Sequence, residues 1–301
     1  MPDSPAGTQD RAVVFGEVLF DSFPDGSDVL GGAPFNVAWN LRMLGSDPLF
    51  VGAVGADALG DRVCAAMAAA GLDTRRLQVV PDAPTGRVQV TFEAGEPRYD
   101  ILADQAYDRV DPAALETAVA GSDPLLYHGS LALRAEPSRS ACAWLARHTR
   151  RRFVDVNLRA PWYEPGAVVE GIRGADYVKL NQDELRELAP GADDAARVAS
   201  LIENAGIREA VILTAGAEGA AIHTAAGRRF EQPAPAVENL QDPVGAGDAF
   251  ASVVILGVLN GWDWPVTLER ALGFAARVCT LQGATTADAD FYTSARRSWG
   301  I

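Results

Sequence analysis

The sequence predicts an α/β fold, a mostly parallel sheet sandwiched by helices, with a small second sheet beside it. Three observations carry this reading. Short continuous apolar runs alternate with helical patterns through most of the chain, as buried parallel strands and their crossover helices do. Two segments, about 17–32 and 85–103, alternate apolar with polar residues instead, the period of a half-exposed strand. No repeat, charge block or low-complexity linker divides the 301 residues, so one domain over 1–301 is expected, with the two excursions joined in one small sheet.

In chain order, residues 1–10 read as a loose tail. "RAVVFGEVLFDSF" (11–23) is strand-like and Pro24-Asp25-Gly26 is a turn. "DVLGGAPFNVAWNLRMLG" (28–45) passes from a short strand through a Gly-Gly turn into a helix ending near Gly45. A buried strand follows at 48–55 and a helix at 58–71. Within 85–103, Val88, Val90 and Phe92 alternate with polar residues before Glu93–Pro97 turns the chain back, an antiparallel hairpin. Strands are then expected at 124–130, 152–158, 177–181 and 209–216, with helices at 137–150, 183–188 and 193–206 between them. "GAAIHT" and "RRFEQPA" read as a hairpin, and 245–260 and 266–282 as two final helices.

The charge balance narrows the partners. Asp plus Glu number 40 against 26 Lys plus Arg, a net charge of −14, which disfavours nucleic acid or an anionic membrane. Cys64, Cys142 and Cys279 are odd in number, far apart and in apolar contexts, so they read as reduced core thiols. With no membrane-length apolar run and no signal-peptide pattern in "MPDSPAGTQD", a cytoplasmic protein is expected.

Four clusters fall at predicted strand ends, where open α/β sheets bind ligands. The first joins Asp21 to "GGAPFN" (31–36): a carboxylate and the Asn36 amide suit a polyol, or are a turn acid and a helix-start Asn. The second, "DVNLR" (155–159), sets Arg159 where it could fork a carboxylate or phosphate, or is a capping Asp and a surface Arg. The third, "NQDE" (181–184), has capping-box spacing, with Asn181 as N-cap and Glu184 at N3; alternatively Glu184 reaches a metal–phosphate shell through water. The fourth pairs "TAGAEG" (214–219) with "DPVGAGD" (242–248). A Gly-rich turn entering a helix suits an anion, yet Asp248 stands beside it, harder to explain as simple capping.

Together these motifs resemble the ribokinase-like (PfkB) family of carbohydrate kinases over essentially the whole chain. "GGAPFNVA" (31–38), Gly45 and Gly55 fill the N-terminal signature, and "DPVGAGD" the core of the C-terminal one. "NQDE" matches the family's Asn-x-x-Glu, and "TAGAEG" its Thr-x-Gly-x-x-Gly. The resemblance implies an ATP-dependent sugar kinase in which Asp248 is the general base and the amides of Gly245, Ala246 and Gly247 form an anion hole for the γ-phosphoryl group. It implies that Asp21, Gly32 and Asn36 hold sugar hydroxyls, and that Thr214, Gly216 and Gly219 line the nucleotide site. Asn181 and Glu184 would act on Mg²⁺ and phosphates indirectly, and Asp242 would be a ligand of a monovalent cation such as K⁺. The segments 17–32 and 85–103 would be a lid that closes over the sugar and pairs two subunits as a homodimer.

Two departures stand out: Pro243-Val244 replace a common Thr-Thr, and Val253 replaces a usual Gly. "GEVLFDSFPDG", "GGAPFNVA" and "DVNLRAPWY" look most like the fructokinase branch, which implies Arg159 and Trp162 near the sugar or phosphate site. A 2-keto-3-deoxygluconate kinase is the enzymatic alternative, needing Arg87 or Arg159 for the substrate carboxylate. Phosphofructokinase-type use of a phosphorylated sugar is disfavoured, since the lid offers only Arg87 and Arg98; spacing alone leaves nucleoside kinases open. A non-catalytic sugar-binding regulatory relative would be marked by loss of Asp248 or of Gly245–Gly247, and both are intact.

Overall fold

A computed structural model describes residues 11–93, 96–115 and 124–301. The expected tail 1–10 and the tip of the turn at 94–95 lie outside the described residues. The strands are β1 (Ala12–Phe15), β2 (Leu19–Ser22), β3 (Asp28–Gly31), β4 (Leu49–Gly55), β5 (Leu77–Val80), β6 (Gly86–Glu93) and β7 (Glu96–Ile101). They continue as β8 (Leu125–His128), β9 (Arg151–Asp155), β10 (Tyr177–Asn181), β11 (Ala210–Thr214), β12 (Ala220–Thr224) and β13 (Arg229–Gln232). The helices are α1 (Ala33–Met43), α2 (Ala58–Ala70), α3 (Glu136–His148), α4 (Pro165–Ile172) and α5 (Gln182–Leu188). After them come α6 (Asp194–Ala205), α7 (Ala246–Asn260), α8 (Trp264–Val278) and α9 (Ala289–Trp299).

Nine strands form the main sheet in the order β13-β12-β11-β10-β9-β8-β1-β4-β5. From β5 to β11 every pairing is parallel, and only the β11-β12-β13 meander at one edge is antiparallel. The strands read as apolar runs because both faces are covered. Ala12 and Val14 face one layer with residues of α1, α7 and α8, while Val13 and Phe15 face the other with residues of α3. A further apolar cluster joins β9, β10 and β11 to α5 and α6. Side-chain caps set many helix starts: Asp57, Asp193 and Asp263 each accept a first-turn N–H, and left-handed Gly71 and Gly206 end α2 and α6.

The small sheet has the order β3-β2-β6-β7, so segments far apart in sequence do meet, through the parallel pairing of β2 with β6. The strand-like stretch 11–23 divides into β1 and β2 near residue 17, the expected start of the small-sheet segment. At Gly16–Val18 the chain leaves the main sheet for the small one, and Gly16 packs so closely on Pro34 that a Cβ there would lie 2.4 Å from its ring. Three elements escape the sequence pattern. The edge strand β5 is only half covered, α4 begins Pro-Gly and contains paired β-branched valines, and α9 is a polar-rich amphipathic helix. Cys142 is buried, whereas Cys64 and Cys279 are only partly covered; all three are free thiols. No helix among the described residues is long and apolar enough to cross a membrane.

Candidate active site

The carboxyl ends of the parallel strands, the inner face of the small sheet and the start of α7 enclose a cavity of about 1130 Å³. Its position follows from topology, because loops after parallel strands open on one side of the sheet. Of the residues singled out in the sequence, Asp21, Gly32, Asn36 and Arg159 line it. So do Asn181, Glu184, Thr214, Asp242, Gly245, Gly247 and Asp248.

Asp248 stands in the first turn of α7, whose N-cap is Gly245. Gly245 has φ 79°, and a Cβ there would lie 2.3 Å from the Ala284 side chain, so this turn requires glycine. Asn36, buried in α1, donates from Nδ2 to Asp248 Oδ2 at 2.8 Å, joining residues 212 positions apart. Burial raises the Asp248 carboxyl to about 6; the Asn36 hydrogen bond opposes the shift, the Asp155 charge adds to it, and Lys179 and Arg159 counter it. The Asn36 amide oxygen is buried without a protein partner, leaving an acceptor for a ligand donor.

The expected anion hole is smaller than the sequence implies. The Ala246 N–H is taken by the Pro243 carbonyl at 3.2 Å, and Ala246 does not line the cavity. Gly245 and Gly247 do, and helix geometry leaves the Gly247 N–H with no intrahelical acceptor. Beside them lies Lys179, whose Nζ is held by both oxygens of Asp155 at 2.9 and 2.8 Å. Both side chains of this pair are at least nine-tenths buried. Burial pulls the ammonium down, but the Asp155 carboxylate outweighs it, and Lys179 is raised overall. Asp155 is therefore an ion-pair partner, not the helix cap its position allowed.

Glu184 and Asn181 form the capping box their spacing predicts. Asn181 Oδ1 accepts the Glu184 N–H at 2.9 Å, and Glu184 Oε2 accepts the Asn181 N–H at 2.8 Å. Glu184 Oε1 takes the Leu158 N–H at 2.8 Å, tying the loop after β9 to the start of α5. Burial raises its carboxyl above the usual range. Asp242 is likewise engaged: Val244 donates to Oδ1 at 2.9 Å and Gly283 to Oδ2 at 3.2 Å.

Three expected site residues lie elsewhere. Arg87 is exposed on the face of β6 opposite Val88, with Nη2 3.8 Å from Asp28 Oδ2, and does not reach the cavity. The alternation of Val88, Val90 and Phe92 already fixed that face, because neighbours in a strand point to opposite sides. Gly216 and Gly219 shape the turn after β11 rather than the cavity wall; Gly219 (φ 113°) lies against the Gln232 carbonyl. Sequence reasoning also missed Lys179 and Glu17, which line the cavity. Each is a charged residue inside an apolar run, a placement that demands a partner or a function.

Residues 16–290 match the pfkB family of carbohydrate kinases, and the chain belongs to that family. Among curated relatives, a fructokinase of Klebsiella pneumoniae is 29% identical over 260 residues, covering 81% of this chain and 83% of that protein. An aminoimidazole riboside kinase of Salmonella typhimurium is 29% identical over 300 residues, covering 91% of this chain and 90% of its own. The crystal structure of a Vibrio cholerae fructokinase with fructose, ADP and calcium superposes with a TM-score of 0.80 at 25% identity, over 95% of this chain and 99% of that one. The protein is thus a PfkB-family sugar kinase with the ribokinase-like fold.

Proposed function

We propose that this chain transfers the γ-phosphoryl group of ATP to a hydroxyl of fructose. The observation that carries the reading is Asp248, a carboxylate in the first turn of α7, hydrogen-bonded by Asn36 and flanked by the cavity-lining glycines 245 and 247. Phosphoryl transfer depends mainly on positioning and charge stabilisation, with a base contributing on the order of 10²–10⁴. In this reading Asp248 takes the proton of the attacking hydroxyl, while the Gly245 and Gly247 amides and the Lys179 ammonium balance charge on the phosphoryl group. Asp21, Gly32 and the free acceptor of Asn36 orient the sugar. Thr214, with the Gly216–Gly219 turn behind it, borders the nucleotide.

Mg²⁺ fits only an outer role here. Among the described residues no cluster of three His, Cys, Asp or Glu side chains could hold an ion directly, and both Glu184 oxygens already accept N–H donors. Asn181 and Glu184 would meet it through water; when bound with ATP, it supplies charge neutralisation on the phosphates. Each Asp242 oxygen accepts one N–H, from Val244 and Gly283, and keeps a second lone pair, so the carboxylate could still help hold a monovalent cation; no step is assigned to K⁺.

Val29, Phe92 and Tyr99 of the small sheet are 44–56% exposed. Closure of that sheet over the sugar would cover them and exclude water that competes for the phosphoryl group. The same surface suits pairing with a second copy. The 2-keto-3-deoxygluconate alternative keeps one supporting observation, Arg159 in the cavity, and loses Arg87. A coupled ADP-release screen with fructose, 2-keto-3-deoxygluconate, ribose, tagatose and nucleosides tests the assignment. Fructose is expected to give the highest kcat/KM, and a decisively better acceptor would overturn it.

A further inference from the structure

Glu17 lies in the three-residue link between β1 and β2, where the chain passes from the main sheet to the small one. Only 4% of the residue is exposed, yet it lines the cavity. Its Oε2 is buried and has no hydrogen-bond partner. An unpaired buried carboxylate oxygen is costly, and native folds rarely keep one without a partner from outside the protein. The carboxyl is raised by burial to about 7; Arg159 and Arg134 oppose that rise and Asp248 adds to it, so Glu17 lies within the field of the base.

The neighbouring cation does not close the account. Arg134 is anchored through Nε and Nη2 to both oxygens of Asp108, at 2.8 and 2.7 Å, and to the Leu102 carbonyl, with its guanidinium packed on the rings of Tyr107 and Trp162; its Nη1 is buried without a partner and makes no hydrogen bond to Glu17 Oε2. The surrounding charges also bear on what the acceptor can be. Glu17, Asp21 and Asp248 bring three carboxyl groups to the acceptor side, against Arg159 as a cation on that side; Lys179 is already paired with Asp155. A negative charge on the acceptor would be repelled in that partly desolvated space by whichever of these carboxyls are ionised, with Arg159 as the opposing cation.

We propose that Glu17 determines acceptor specificity: its free oxygen hydrogen-bonds a sugar hydroxyl, and with Asp21 and Asp248 it restricts the site to neutral polyols over sugar acids and sugar phosphates. This rests on the kinase reading above and deepens it, but does not depend on fructose being the neutral sugar.

Wild-type protein and Glu17→Gln are compared by coupled ADP release and by calorimetric titration, with the best wild-type acceptor from the screen and with 2-keto-3-deoxygluconate. The substitution keeps shape and removes charge. Losing a hydrogen bond to a charged group is expected to raise Kd and KM for the neutral sugar about tenfold, to change kcat less, and to narrow the preference over the sugar acid. ATP binding, titrated separately, should be unchanged. Unaltered Kd and KM together with a lower Tm would overturn the proposal, making Glu17 a structural partner of Arg134. A wild-type preference for the sugar acid would overturn it equally. A wild-type preference for ribose over fructose would refute the fructose assignment while leaving Glu17 to be judged on ribose. Should Glu17→Gln fail to fold, Glu17→Asp keeps the charge but shortens the reach; weaker binding with the preference for neutral sugar retained supports the proposal, and unchanged binding refutes it.

Discussion

The carboxylates of the cleft divide into two groups that occupy one cavity under different rules. In the proposed reading the acids of the phosphoryl side are committed within the protein: Asp155 to Lys179, Glu184 to two backbone N–H groups, Asp242 to two more. On the acceptor side Glu17 keeps a bare oxygen, Asp248 holds one bond from Asn36, and both Asp21 and Asp248 are raised to about 6, chiefly by burial. The first group ties strands and loops of the fold together, and the second keeps unsatisfied groups that the proposed reading assigns to the sugar. The difference teaches that function in this site is marked by missing hydrogen bonds more than by the presence of acids.

The largest effect expected is on the base. Asp248→Asn preserves the shape and an acceptor for Asn36, so the protein should fold and bind sugar while kcat falls by at least about 10²–10⁴. Near-normal turnover would erase the distinction between the two groups. The same variant should be more stable than wild type at pH 8. A carboxyl raised in the fold contributes stability that is full below its unfolded value, about 3.9. That contribution is lost as pH rises through about 6, and the amide lacks this loss. Thermal melting at pH 5 and pH 8 checks the sign.

Breaking a committed acid should instead cost stability. Asp155→Ala would strand the buried Lys179 ammonium, a loss of about 3–5 kcal/mol by analogy with other buried pairs, read by urea denaturation. A fall in kcat without a fall in stability would move Asp155 to the other group. The pH profile is a third lever. Because the base must be ionised, kcat at saturating ATP and sugar should be flat above about pH 6 and fall toward tenfold per unit below it. The smallest effect is Asp21→Ala, expected to raise sugar KM about tenfold with kcat little changed. An unchanged KM removes Asp21 from the acceptor side.

Much of this was legible from local pattern. The βα alternation, the capping box at Asn181 and Glu184, and the glycine turn before Asp248 are each encoded within a few residues. Their physics is local: a helix N-terminus needs its N–H groups capped, and a left-handed turn needs glycine. The switch of sheet inside 11–23 was legible too, because the change to alternating polar residues begins near residue 17. Arg87 was misassigned although its strand parity was visible, and Ala246 was misassigned because sequence does not show which amides are already bonded.

The sequence by itself determined the family, most of the elements and most of the residues that line the cavity, because those depend on periodicity and short-range backbone requirements. Only the tertiary structure decided which acids are free. Asn36 reaches Asp248 from 212 positions away, and Asp155 meets Lys179 across neighbouring strands. Gly283 reaches Asp242 from 41 positions away, and no protein group bonds Glu17 Oε2. Hydrogen-bond satisfaction is a property of groups brought together in space, so the division between acids that hold the fold and acids that meet the sugar exists only once the chain has folded.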